Sequence, residues 1–251
     1  MGSTVCAAIA SDRDSELVAA VDPHHEGLDL HLVARDADVP DITVAADVAA
    51  FERAGVDVVV DFTHLQAACD NLEWAAEAGV HAVVGTTGFS ADDYDRFART
   101  FTRSNCLIAP NFAIGAVLMM RFAEMAAPWF DTAEVLEYHH DAKVDAPSGT
   151  AMLTLERMAA ASSEWADDPT ENEVVESARG GKGPAGIPVH SVRMRGMIAH
   201  QEVLLGATGQ TLTIRHDSYD RSSFMPGVLL AVKAVPDLPG VTVGLDRVLG
   251  L

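Results

Sequence analysis

Along the first 111 residues, stretches with helical spacing alternate with short apolar runs. Residues 3–10 (STVCAAIA) place Val5, Cys6 and Ile9 on one helical face, and after the polar turn SDRDS the run ELVAAVD (16–22) reads as a strand. An acidic loop follows, then a short helix in AADVAAFERAG and an apolar run, VDVVVDFT (56–63), of the buried parallel-strand kind. The alternation repeats. His64–Gly79 has helical spacing and stops on glycine, HAVVG (81–85) is a strand, Ser90 caps a helix reaching Phe101, and NCLIAPN (105–111) is another strand. Strands joined by crossover helices predict a doubly wound, Rossmann-type parallel sheet that takes ligands at the carboxyl ends of its strands.

From Ile114 the pattern changes. It predicts a helix over 114–127, a strand over 133–140 and a helix from Gly149 to Ala161. An acidic loop follows over 162–186, then three period-2 strands at 187–194, 198–206 and 210–218. These form a smaller α+β domain with a largely antiparallel sheet. A last helix, Phe224–Val235, is expected to pack back on the first domain. The domains expected are 1–111 for dinucleotide binding, 112–219 for substrate binding and tetramerisation, and 220–251 returning to the first. The Met-rich segment IGAVLMMRFAEM reads as packing.

Composition narrows the function. About half the residues are apolar, enough for a core, yet no run approaches the roughly 18 apolar residues of a membrane span. No secretory signal is read at the amino terminus, so the cytoplasm is expected. Three scattered cysteines, none in a C-x-x-C pair, fit a reducing compartment, and no metal site is expected. A formal net charge of −20 argues against nucleic acid or an anionic membrane as partner. In so acidic a chain, the few places where Lys, Arg and His gather carry more weight.

One such place is EYHHDAKVDAPSGTA (137–151), where two histidines and a lysine end a strand and S-G-T opens a helix. Amides at a helix amino terminus suit a carboxylate, Lys143 adds a full positive charge, and His139 or His140 can move a proton near neutral pH. A regular strand through both histidines would point them to opposite faces. Either the strand ends there or only one of them faces the cleft. Taken singly, a strand histidine is more often an ordinary packed residue, and Ser148 could be no more than a helix cap.

HHDAKVDAPSGTA, with VDFTH (60–64), VVGTTGF (83–89), APNFAIG (109–115), GIPVHSVR (186–193), AHQEVLLG (199–206) and RHDSYDRSSFMPG (215–227), closely resembles the dihydrodipicolinate reductase (4-hydroxy-tetrahydrodipicolinate reductase) family nearly end to end. The resemblance implies an NADH- or NADPH-dependent reduction of a small cyclic dicarboxylate in diaminopimelate and lysine biosynthesis, by a homotetramer. It implies His139 as the acid/base residue and Lys143 as the proton donor. His140, Lys143, Gly149 and Thr150 would hold the substrate carboxylates. Gly85, Thr86 and Thr87, with Ala109, Pro110, Asn111 and Phe112, would contact the nicotinamide side of the cofactor.

Asp22 ends its predicted strand where such a domain places the acid that binds the adenosine ribose, and an acid there repels a 2′-phosphate, which leans toward NADH. Met1 and Gly2 read as the tail of a glycine-rich phosphate loop whose first strand and earlier glycines are missing. A misassigned start, with a protein some ten or more residues longer, is the expectation; a true truncation is the alternative. Without that strand, the strands ending at Asp22 and Asp61 would expose ladder groups. Arg193, His200, Glu202, Arg215 and His216 read as sheet surface or subunit contact, and Arg221 and Phe224 stay outside the core assignment. The rivals are another nicotinamide dehydrogenase, which would not need the H-H-x-x-K and S-G-T arrangement, and a nucleotide sensor that binds without turnover.

Overall fold

The computed structural model describes residues 1–36 and 38–251. They divide into two compact units, one of residues 1–112 and 224–251, the other of residues 113–223.

The first unit opens with helix α1 (Gly2–Ser11), which buries Val5, and a one-turn helix α2 (Leu30–Ala34) begun by Asp29, whose carboxylate accepts the His31 amide. The acidic loop read there therefore contains a helix, too short to show a period. Residues 16–22 form no regular strand; a single parallel bridge joins Val21 to Ala45. Helix α3 (Ala49–Ala54) leads to β1 (Val58–Asp61), α4 (Leu65–Ala78), β2 (His81–Val84), α5 (Ala91–Thr100) and β3 (Cys106–Ile108). Gly79 ends α4 at φ +75°, and Ser90 starts α5 through a reciprocal capping box with Asp93.

The second unit runs from α6 (Ile114–Ala126) through β4 (Thr132–His139), α7 (Gly149–Ala161) and the two-residue β5 (Gly181–Lys182) to β6 (Pro188–Arg193), β7 (Ala199–Ala207) and β8 (Gln210–Ser218). Its sheet has the order β5-β6-β4-β7-β8. Only the β4–β6 pair is parallel. Val135, Val189, Val203 and Leu205 pack with Leu155 and Met158 of α7 in one core. On the other face Glu134 takes Arg179 at 2.7 Å and His190 at 2.6 Å.

Residues 224–251 supply α8 (Met225–Ala234) and β9 (Val241–Val243) to the first unit. Its parallel sheet has the order β1-β2-β3-β9. Val59, Ala82, Val84, Cys106 and Ile108 meet Leu72 of α4 and Phe97 of α5 on one face. By strand alternation Val83 and Leu107 face the other way, where α8 packs on β2. Gly227 lets α8 come this close: a Cβ there would lie 2.1 Å from the Phe112 carbonyl oxygen.

β1 is paired on one side only, and between it and residues 16–22 opens a cavity of about 790 Å³ lined by Leu17, Val18, Ala20, Val58, Val60 and others. An apolar run becomes a strand only where neighbours exchange ladder bonds, which explains why 16–22 stays irregular. Native-state hydrogen exchange should therefore be at least about a hundredfold faster at amides 17–19 than at 82–84 in β2. Equal protection would contradict the open edge.

Candidate functional site

In the second unit, the site grows from the end of β4. Alternation puts Val135, Glu137 and His139 on the face covered by α7. The strand stops at His139, so the first of the two possibilities holds: His140 lies beyond it, exposed, and its carbonyl accepts the Lys143 amide at 3.2 Å. The Lys143 ammonium donates to both Asp145 oxygens, at 2.8 and 2.9 Å. That bond holds the Asp145 carboxyl below the ordinary range. Ser148 caps α7, its hydroxyl accepting the Ala151 amide at 3.2 Å. Gly149 is exposed with open space above it, and Thr150 is half-buried. His139, His140, Lys143, Gly149 and Thr150 thus share one strand–turn–helix segment.

Beneath them is a residue the sequence reading passed over. Glu137 is fully buried. Its Oε2 accepts from His139 Nδ1 at 2.5 Å and from Arg193 Nη1 at 2.9 Å; its Oε1 accepts from Arg193 Nη2 at 2.8 Å and from the Ser148 amide at 3.3 Å. Burial pushes the Glu137 carboxyl up, but the bonds from His139, Arg193 and Ser191 outweigh it and bring it down to about 2. Arg193 Nη2 also donates to the Asp145 carbonyl at 2.6 Å, clasping the loop that carries Lys143. Arg193 is therefore not sheet surface. The available signal was an acid two residues before His139 on an otherwise apolar strand face.

The other residues grouped with Arg193 do form a network on the sheet. Arg215 reaches Glu202 at 3.1 Å and Asp217, which also pairs with His200 at 2.7 Å, while His216 is half-buried.

In the first unit, residues from three strand ends come together. Asp61, at the end of β1 and buried, accepts from Thr63, from Asn71 Nδ2 at 2.7 Å and from Thr86 Oγ1 at 2.9 Å. Thr86 is thus turned inward and Thr87 outward. Gly85 has no room for a side chain, because a Cβ would sit 2.0 Å from the Phe62 ring. Ala109 bonds β2 through the Val84 carbonyl, Pro110 is exposed, Asn111 is half-buried, and Phe112 packs its ring 5.6 Å from Phe62. Met1 stands at the N-cap of α1 without a side-chain cap bond, and Gly2 borders open space. Asp22 is part-exposed and accepts from the His24 amide at 2.9 Å and His25 Nδ1 at 2.8 Å.

This donor set fits a dinucleotide: the amides at a helix amino terminus suit phosphate, and backbone at the carboxyl ends of β2 and β3 suits a nicotinamide.

The first 112 residues match the family model described as dihydrodipicolinate reductase, N-terminus, and residues 115–249 the one described as dihydrodipicolinate reductase, C-terminus. The chain is 47% identical over 257 residues to the 4-hydroxy-tetrahydrodipicolinate reductase of Cutibacterium acnes, covering all of this chain and 95% of that protein. The corresponding protein of Nocardia farcinica is 47% identical over 258 residues, with the same coverage. A dipicolinate-bound dihydrodipicolinate reductase from Paenisporosarcina sp. TG-14 superposes with a TM-score of 0.85 at 37% identity, over 98% of this chain and 94% of that one. An amine dehydrogenase from Mycobacterium smegmatis, 15% identical with a TM-score of 0.61 over 98% of this chain and 92% of its own, shares the fold alone. With both halves matched by the same family, the chain belongs to the dihydrodipicolinate reductases.

Proposed function

We propose that this chain reduces 4-hydroxy-tetrahydrodipicolinate (dihydrodipicolinate) to tetrahydrodipicolinate with NADH or NADPH, in diaminopimelate and lysine biosynthesis. The observation that carries the reading is that one buried carboxylate, Glu137, holds His139, the N-cap amide of α7 and, through Arg193, the loop that bears Lys143.

Loss of the C4 hydroxyl as water leaves an α,β-unsaturated cyclic imine, and the reduced nicotinamide, when bound, supplies a hydride to its C4. The Met1 and Gly2 end of α1 receives the pyrophosphate, Asp22 the ribose hydroxyls, and Gly85–Thr87 with Ala109–Phe112 the nicotinamide side. Because the Thr86 hydroxyl is already given to Asp61, Thr86 serves through its backbone. In the second unit His140, Lys143 and the amides of Gly149 and Thr150 hold the two substrate carboxylates. A carboxylate arriving at Lys143 replaces Asp145 as its partner, and the ammonium then delivers a proton to C3. His139 returns that proton to Lys143. Asp22 repels a 2′-phosphate and weights the choice toward NADH.

Absorbance of NADH and NADPH, followed with freshly generated substrate, tests the reading: oxidation of both is expected, faster with NADH. Cofactor binding without turnover would mark a nucleotide sensor and sink the reading. A homotetramer built through the second unit's sheet, where Leu212 is exposed on β8, and a cytoplasmic location belong to the same proposal. Among the described residues no helix is long and apolar enough to cross a membrane.

A further inference from the structure

We infer that Glu137 is the positioning residue of the site: it fixes His139 in the tautomer protonated at Nδ1 and leaves Nε2 as the nitrogen that exchanges protons. This rests on the reading of His139 as the acid/base residue.

An ionised carboxylate only accepts hydrogen bonds, so the short contact between Glu137 Oε2 and His139 Nδ1 requires the proton on Nδ1. Glu137 cannot turn away, because both Arg193 Nη atoms grip it at 2.8 and 2.9 Å and the Ser148 amide holds Oε1. The same arginine donates to the Asp145 carbonyl, and Ser148 is the cap of α7. One buried charge therefore sets three things together: the histidine's orientation, the loop bearing Lys143 and the start of the helix that receives a carboxylate. No solvent reaches Glu137, and both its oxygens are taken by donors of the protein. It acts only through its neighbours.

Glu137→Gln keeps the shape and reverses the logic. The Oε1 position faces only fixed donors, Arg193 Nη2 and the Ser148 amide, whereas the Oε2 position faces Arg193 Nη1 and a histidine that can change tautomer, so the amide oxygen takes the first and the amide nitrogen the second, turned to His139 with Arg193 Nη1 displaced. His139 Nδ1 then becomes an acceptor and the proton moves to Nε2. Two-bond ¹H–¹⁵N spectra of the full chain, with His139 assigned by the signals lost in His139→Asn, should show the Nδ1–H form in the wild type and the Nε2–H form in Glu137→Gln. The rate constant kcat should fall about 10²–10⁴-fold with KM within about threefold, the range expected when a catalytic histidine is held in the wrong tautomer. Glu137→Asp, which keeps the carboxylate, should keep the Nδ1–H signal and recover part of kcat.

A loss of kcat without a change of tautomer, or a change of tautomer without loss of kcat, overturns the inference. So does an Nε2–H signal in the wild type, a measurement that stands even if Glu137→Gln does not fold. The spectra need no substrate, so a wild type that shows Nδ1–H but no turnover sinks the proposed reaction and not the tautomer.

Discussion

Lys143→Ala is expected to lower kcat by about 10²–10⁴-fold while leaving the affinity for NADH within a factor of about three. The side chain has two duties, a charge for a carboxylate and a proton for C3, and alanine removes both. Asp145, which now takes both its oxygens' bonds from this ammonium, would stand at the site as an unanswered negative charge and repel an anionic substrate. KM should therefore rise as well. Lys143→Arg separates the duties: the guanidinium keeps the charge but does not release its proton, so KM should stay near that of the wild type while kcat remains low. Steady-state kinetics with a separate fluorescence titration of NADH make the comparison. Lost cofactor binding in Lys143→Ala would contradict the role given to this residue.

The largest effect on stability is expected from Arg193→Met. Methionine fills much of the same space but leaves a buried carboxylate facing apolar atoms, and breaking one side of such a pair costs about 3–5 kcal/mol. The pH dependence should identify the cause. In the wild type Glu137 is held at about 2, below its ordinary value of 4.5, so its contribution to stability is complete above pH 4.5 and is lost as pH falls toward 2. Without Arg193 one of the bonds that outweigh burial is gone, and the carboxyl in the folded variant rises. Protonation then relieves the variant, so the gap from the wild type should be widest at pH 7 and narrow at pH 4. Urea unfolding at the two pH values measures it, and a gap unchanged between them would show that lost packing, not charge, is responsible.

The sequence made some of this legible and hid the rest for identifiable reasons. Apolar period and caps located α4, α5 and α7 to within a residue or two, because Ser90, Ser148 and Gly79 are local signals that need no tertiary partner. β9 went unread: three residues between Gly240 and Gly244 carry no period, and only pairing with β3 makes them a strand. Residues 16–22 erred the other way, apolar enough for a strand yet joined to the rest by a single bridge. At the site, residues adjacent in sequence were found and residues adjacent only in space were not. Arg193 reaches Glu137 because β6 runs parallel to β4 with Arg193 opposite His139, a register that no local pattern encodes.

The half-solvated edge of β1 has a colloidal consequence. The unpaired groups along it face a slot closed on its far side by residues 16–22, and an extended segment that enters the slot, including the same run in another molecule, completes the ladder. The surplus of acid answers this: at −20, two molecules approaching edge to edge repel before their ladders meet. Salt shortens the reach of that repulsion to about 8 Å at physiological strength and about 3 Å at 1 M, so clumping through this edge grows with ionic strength.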